Sequence, residues 1–243
     1  MRHQRRWRVR AFAAATALTA LTVAGCTATG EGTDRKGAAT PSAPASPSTG
    51  GGTGGSDDSA LPGMPTAAEA RARLDGLTVA PHGSMRGYSR SKFPHWAEQG
   101  QKCNTRETVL EREGAEVRQD EQCRAVSGTW VSVYDDVTVD DASELDIDHM
   151  VPLANAWRSG ADKWDQEKRR AFANDLTHPQ LLAVTARTNR SKGDQGPDQW
   201  QPPSKTYWCA YGRAWTSVKA TYELTVTEAE KDKLVEMLNT CDS

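Results

Sequence analysis

Two stretches carry the residues best suited to chemistry. One is Asp146-Ile147-Asp148-His149, running on into Met150-Val151-Pro152-Leu153; the other is Thr188-Asn189-Arg190-Ser191-Lys192-Gly193-Asp194. The first puts an acid directly before a histidine at the end of a β-like run. The second offers an amide, two cations and a further acid. A neutral histidine titrates near working pH and can take a proton from water. One Asp and one Asn carbonyl oxygen suit Mg²⁺, which prefers oxygen ligands and keeps several waters. Cations beside them suit phosphate. Together these are the parts for metal-assisted hydrolysis of a phosphodiester. Each also has a plain structural reading: His149 as a satisfied core histidine, Asn189 as a turn residue, Arg190 and Lys192 as a solvated face.

Neighbouring strand residues point to opposite faces, so Asp148 and His149 diverge on an ideal strand. A strand end relaxes this, and one residue can then hold a cation while the other faces an attacking water. The strand needs a partner, and Leu181-Leu182-Ala183-Val184 suits a buried one. Residues 185–192 then open a helix that carries Asn189 and Lys192.

These segments resemble the HNH (ββα-metal) endonuclease superfamily. The likeness is closest to secreted actinobacterial HNH proteins related to the C-terminal nuclease domain of GmrSD-type restriction endonucleases. It extends over residues 85–240 through Cys103-Asn104-Thr105-Arg106-Glu107, Gly128-Thr129-Trp130, Ala171-Phe172-Ala173-Asn174-Asp175-Leu176 and Trp200-Gln201-Pro202-Pro203. The resemblance implies an α+β fold with a ββα-metal core, additional helices and a small antiparallel sheet. It implies Asp148 as the metal-binding acid, His149 as general base, and Asn189 as the closing Asn that completes the metal site. Lys192 matches a basic position that follows. The implied cofactor is Mg²⁺ or another divalent cation such as Mn²⁺, and the implied substrate is DNA, with RNA an alternative. Asp146 is expected to support the metal site from behind. Lys192 and Arg190 are expected to help hold phosphate. Arg106 lies in a Thr-Arg pair near the family's site and reads equally as a phosphate contact or a structural salt bridge. Two departures stand out. The central Asn that orients the histidine in many HNH proteins falls here at Gln180, whose own amide could serve. The 40-residue interval from His149 to Asn189 implies an insertion between the two strands. No Cys-x-x-Cys pairs flank the motif, which argues against a zinc-stapled variant.

The surrounding elements are legible from pattern. Thr66 with Glu69, Asn104 with Glu107, and Thr227 with Glu230 each read as an N-cap and capping box. They predict helices over residues 67–74, through Arg112, and at the C-terminus. Residues 130–134 and 137–139 read as strands around a turn at Asp135-Asp136. Residues 164–176 are helix-like, within the insertion. Trp208, Tyr211, Trp215, Val218 and Tyr222 recur at helical spacing, as a core stripe or, less simply, a base-stacking platform. His95, in Phe93-Pro94-His95-Trp96, is a second histidine whose packed or surface role is the simpler reading.

Residues 1–26 read as a signal segment. Five arginines precede an apolar stretch too short to span a bilayer, and Val23-Ala24-Gly25-Cys26 resembles a bacterial lipobox. Cys26 would then carry lipid and anchor the chain at the outer face of the membrane; the alternative is plain secretion. Residues 27–60, rich in Gly, Ser, Thr, Ala and Pro, read as a disordered tether. Residues 61–243 make one nuclease-like domain, expected to be monomeric. Removing the five leader arginines takes the formal charge from −2 to −7, with 25 basic against 32 acidic residues. That is not the surface of a protein held to DNA by charge alone. Four cysteines remain beyond Cys26. In an exported chain they suggest two disulfides, and order and spacing favour Cys103–Cys123 and Cys209–Cys241. The expected activity is an exported, metal-dependent endonuclease. A non-catalytic envelope-binding or adhesion module on the same fold, or another metal-dependent phosphohydrolase, are the alternatives.

Overall fold

The computed structural model describes residues 61–242, so the signal segment, Cys26 and the tether lie outside the described residues. The chain is a mixed α+β protein. Its helices are α1 (Ala67–Gly76), α2 (Thr105–Glu113), α3 (Leu153–Arg158), α4 (Gln166–Ala173), α5 (Ala186–Lys192), α6 (Trp208–Thr221) and α7 (Glu228–Asn239). Its strands form three small antiparallel sheets. β1 (Glu98–Gly100) pairs with β2 (Cys103–Asn104). β3 (Ala115–Gln119), β4 (Ala125–Ser132) and β5 (Val137–Val139) lie in that order. β6 (Leu145–His149) pairs with β7 (Leu181–Thr185).

The β6–β7 pair contributes to both clusters of buried side chains, and α5 follows β7 without a break. Its register sets Leu145 opposite Thr185 and His149 opposite Leu181. Strand alternation then divides the core in two. Leu145, Ile147, Leu181 and Ala183 pack with Val109, Leu110 and Trp130 beneath α2 and β4. Leu182 and Val184 join the larger cluster with Tyr134, Tyr211, Trp215 and Val218. The outer edge of β7 is closed by side chains rather than by another strand. Ala183 N donates to Glu113 Oε2 (2.7 Å), Arg112 Nη2 donates to the Leu181 carbonyl (2.6 Å), and Thr185 N donates to Ser132 Oγ (3.0 Å). These three backbone groups are thereby paired with side chains.

The capping boxes at Thr66 and Thr227 both form. Asn104 caps α2 by accepting from Glu107 N (3.2 Å), but the box expected there does not close. Glu107 Oε2 accepts from Ala125 N instead (3.1 Å), tying the helix to β4. The insertion helix is shorter than the pattern predicts, because Asp165 caps α4 at Lys168 N (2.7 Å) and Asn174 ends it. The aromatic stripe lies along α6, with Tyr211, Trp215 and Val218 fully buried, so the stripe is core. Trp215 Nε1 donates to Glu230 Oε1 (2.6 Å), and the ammonium groups of Lys192 and Lys219 stand 5.7 Å and 5.8 Å from its ring. Gly114 follows α2 where a Cβ would come within 2.4 Å of the Trp130 indole, so no larger residue fits.

Both disulfides form, Cys103–Cys123 and Cys209–Cys241, with the cysteines separated by 20 and 32 residues. Loops of this size restrict the unfolded chain by about 3 kcal/mol in the chain-entropy account. Replacing Cys103 and Cys123 together by Ser should lower the urea-unfolding free energy by about that amount. An unchanged midpoint would show that the β1–β2 staple constrains nothing. Among the described residues no helix is long and apolar enough to cross a membrane.

Candidate active site

β6 and α5 lie side by side, and their repeats match. Asp146 and Asp148 share one face of the strand, and Asn189 and Lys192 are three residues apart on the helix, which puts them on one side of it. The contacts follow this register. Asn189 Nδ2 donates to Asp146 Oδ2 (3.0 Å), and Lys192 Nζ donates to Asp148 Oδ2 (2.5 Å).

Asp148 is 3 % exposed. Its Oδ2 also accepts from the Tyr134 hydroxyl (2.6 Å). Its Oδ1 makes no hydrogen bond among the described residues. Burial pushes the Asp148 carboxyl up, while the Lys192 ammonium and the Tyr134 hydroxyl pull it down. Burial pushes Lys192 down, and Asp148 opposes that. The remaining two Lys192 protons go to the carbonyls of His149 (2.8 Å) and Met150 (2.9 Å). Three acceptors satisfy the three donors of an ammonium, so the pair is held charged. Lys192 is wholly buried and so does not reach phosphate, contrary to expectation. Its length carries the amine inward to fix the Asp148 carboxylate and the end of β6.

His149 is 5 % exposed. Its Nε2 lies 3.0 Å from the Ala173 carbonyl, an acceptor, so Nε2 carries the proton. Nδ1 is then the lone-pair nitrogen of the neutral ring. It has no hydrogen-bond partner among the described residues. Burial holds the imidazole down to about 3, opposed by the Ala173 carbonyl and assisted by the positive charges of Arg90, His95 and Lys192. Asp148 and His149 diverge as strand geometry requires: the acid faces α5 and α6, the imidazole the C-terminal end of α4.

Gln180 does not touch the His149 ring. Its Oε1 accepts from Val151 N (3.1 Å) and its Nε2 donates to the Val151 carbonyl (3.0 Å), extending the strand pairing by one side-chain rung. The imidazole is oriented by the Ala173 carbonyl instead. Arg106 is structural: it donates to the carbonyls of Leu145 (3.2 Å) and Ala142 (2.9 Å), securing the start of β6. Arg190 stays largely exposed, with Nε 3.5 Å from Asp146 Oδ2.

Three contributors escape a reading of the sequence. Tyr134, the Ala173 carbonyl and Trp96, whose ring centroid lies 6.1 Å from that of His149, carry no motif spacing relative to Asp148 or His149. For Tyr134 the signal is the expected strand at residues 130–134, which ends on it; Ala173 and Trp96 lie in stretches the sequence singles out, but without a role toward His149.

Among the described residues no three His, Cys, Asp or Glu side chains converge on a common point. The candidate cation donors are instead Asp148 Oδ1 and Asn189 Oδ1. Asp146, an acceptor, takes the Asn189 NH₂, which leaves that amide's oxygen free. A carboxylate oxygen and an amide oxygen are the donor types that a hard divalent cation takes.

The sequence profile of the C-terminal domain of GmrSD restriction endonucleases matches residues 104–237. The chain is also 56 % identical over 180 residues, 74 % of its own length and 88 % of the relative's, to an uncharacterized secreted protein of Arthroderma benhamiae. No solved structure matches. With a profile spanning β2 through most of α7, including β6, β7 and α5, the chain belongs to the family of GmrSD restriction endonuclease C-terminal domains.

Proposed function

We propose that this protein is an exported, metal-dependent endonuclease that hydrolyses phosphodiester bonds in DNA, with RNA as the alternative substrate. The observation that carries the proposal is the state of His149. Its Nε2 proton is committed to a backbone carbonyl and its Nδ1 lone pair has no hydrogen-bond partner among the described residues, the arrangement of a general base with its tautomer fixed. Burial makes the free imidazole a weak base, and a phosphodiester anion placed beside it would raise its basicity.

In this account β6, β7 and α5 are the ββα-metal core. Asp148 and Asn189 hold Mg²⁺ or Mn²⁺ through their free oxygens. A cation bound there would offset the charge that develops on the phosphate and the leaving oxygen. Lys192 and Tyr134 fix the Asp148 carboxylate, and Asp146 fixes the Asn189 amide. His149 takes a proton from water as the water attacks phosphorus. Arg190, exposed beside Asp146, is placed to meet a neighbouring phosphate. The family assignment supports a nucleic-acid substrate. The relative's description as secreted supports export. Residues 1–26 as a signal, Cys26 as the lipid-bearing residue and residues 27–60 as a tether complete the proposal, with residues 61–243 as the catalytic unit.

Supercoiled plasmid incubated with the full-length chain should be nicked in Mg²⁺ and left intact in EDTA. His149→Ala should slow nicking about a hundredfold or more, the usual contribution of a general base. A folded, disulfide-intact sample that cleaves neither plasmid nor RNA in Mg²⁺ or Mn²⁺ would remove the activity. Survival of full activity in His149→Ala would move the base elsewhere.

A further inference from the structure

The loop ahead of β1 stands over the His149 ring, and the same short segment that orients the ring also holds the loop. Ala173 supplies the carbonyl for His149 Nε2. The next residue, Asn174, accepts from Ala97 N at Oδ1 (2.8 Å) and donates from Nδ2 to the Pro94 carbonyl (2.7 Å). Two consecutive residues therefore set the position of the loop relative to the imidazole. Within the loop Trp96 adopts φ +60°, a left-handed conformation that aromatic residues rarely take. Such strain persists where the surroundings over-determine it, and it gathers at functional sites.

The strained residue places one ring against another. The His95 ring centroid is 5.2 Å from Trp96, and Trp96 is in turn 6.1 Å from His149. His95 Nδ1 lies 2.9 Å from the Phe93 carbonyl, so Nδ1 carries a proton. Nε2 makes no hydrogen bond among the described residues and is not sealed from solvent. Phosphate contacts near His149 need donors other than Lys192 and Arg106, which are spent on Asp148 and on backbone carbonyls. The positive charge of exposed Arg90 reaches His149.

We propose that His95 is a substrate-binding residue, whose Nε2 contacts a backbone phosphate of the nucleic-acid strand that has its scissile bond at His149, with Trp96 as the wall between the two imidazoles. The contact presupposes the nucleic-acid substrate proposed above and adds a residue to it. Because Nδ1–H already goes to Phe93, a ring that donates to phosphate from Nε2 is the doubly protonated imidazolium, a form the phosphate charge favours. It acts as a cation in the counterion balance of binding.

The test uses the full-length chain carrying His149→Ala, without divalent metal, titrated against a short fluorescein-labelled DNA duplex over a series of salt concentrations. Adding His95→Ala should weaken binding about tenfold, the low end for a hydrogen bond to a charged group. It should also lower the slope of log affinity against log salt by about 0.9, the signature of one lost phosphate contact. His95→Gln keeps a donor without the charge, so it should regain part of the affinity and none of the slope. Affinity and slope both unchanged in His95→Ala would overturn the contact. So would His95→Gln matching His95→Ala in affinity with the parent's slope, since the ring would then matter only through its packing on Trp96. No binding of duplex by the His149→Ala chain at low salt would overturn it too. Plasmid cleavage by the parent chain reports separately. Intact plasmid with His95-dependent binding ends the hydrolysis and keeps the contact; cleavage with His95-indifferent binding does the reverse.

Discussion

Replacing Lys192 by Met should cost the protein about 3–5 kcal/mol of stability, the usual penalty for removing one partner of a buried ion pair. The loss would be read as a fall in the urea midpoint at neutral pH. The amine holds the Asp148 carboxylate and the carbonyls of His149 and Met150 at once. Without it the carboxylate is left buried with the Tyr134 hydroxyl as its remaining donor, and two carbonyls lose their hydrogen-bond donor. Asp148→Asn together with Lys192→Met removes both charges and should recover much of the loss, so the double-mutant cycle should show strong coupling. A single-variant loss below about 1 kcal/mol, the range of a solvated surface pair, would show that water reaches the seam. The site then depends on a lysine that touches no substrate, since that amine fixes which carboxylate oxygen of Asp148 is left free.

His149 should make the protein acid-sensitive. Burial holds its folded pKa near 3, against an ordinary value of 6.5 in the unfolded chain. The folded value is depressed, so the contribution is fully present above pH 6.5 and is lost as pH falls from there toward 3. Between those limits the unfolded chain takes up a proton that the folded chain refuses, at about 1.4 kcal/mol per pH unit. The whole interval is about 4–5 kcal/mol. His149→Gln can still donate to the Ala173 carbonyl but carries no titrating group. Urea unfolding at pH 7 and pH 4 should show the parent losing about 3 kcal/mol more than His149→Gln over that drop, other carboxylates contributing equally to both. Equal pH dependence would mean that the imidazole is solvated.

The strand–strand–helix order around the site was legible because its signals are local. Leu181-Leu182-Ala183-Val184 is a continuous apolar run, and the caps at Thr66 and Thr227 lie three residues from their partners. The pairing of Asp146 and Asp148 with α5 follows once a period of two meets a period of 3.6. What escaped the sequence depends on long-range placement. Lys192 reads as a surface cation from its neighbours Arg190, Ser191 and Gly193, and only the packing of α5 against β6 turns it inward, toward the rings of Tyr211 and Trp215. Glu107 has the spacing of a capping box, yet the Ala125 N–H donor on β4 draws its carboxylate away. β3 goes unseen because Ala-Glu-Val-Arg-Gln is a solvated strand, exposed along most of its length. Gln180 matches the spacing of an orienting Asn, but the backbone carbonyl of Ala173, which no side-chain pattern can announce, does that work.

The two ammonium groups near Trp215 belong to different pairs, one to the seam that fixes Asp148 and one to the α6–α7 contact at Glu230. An indole's electronic transition shifts with the electric field across its ring, and this ring is wholly shielded from water. Trp215 therefore works as an unlabelled field gauge inside the protein. Its spectrum, isolated as the difference between the parent chain and Trp215→Phe, carries the charge state of the Asp148 carboxylate's keeper from a position that neither substrate nor cation would touch.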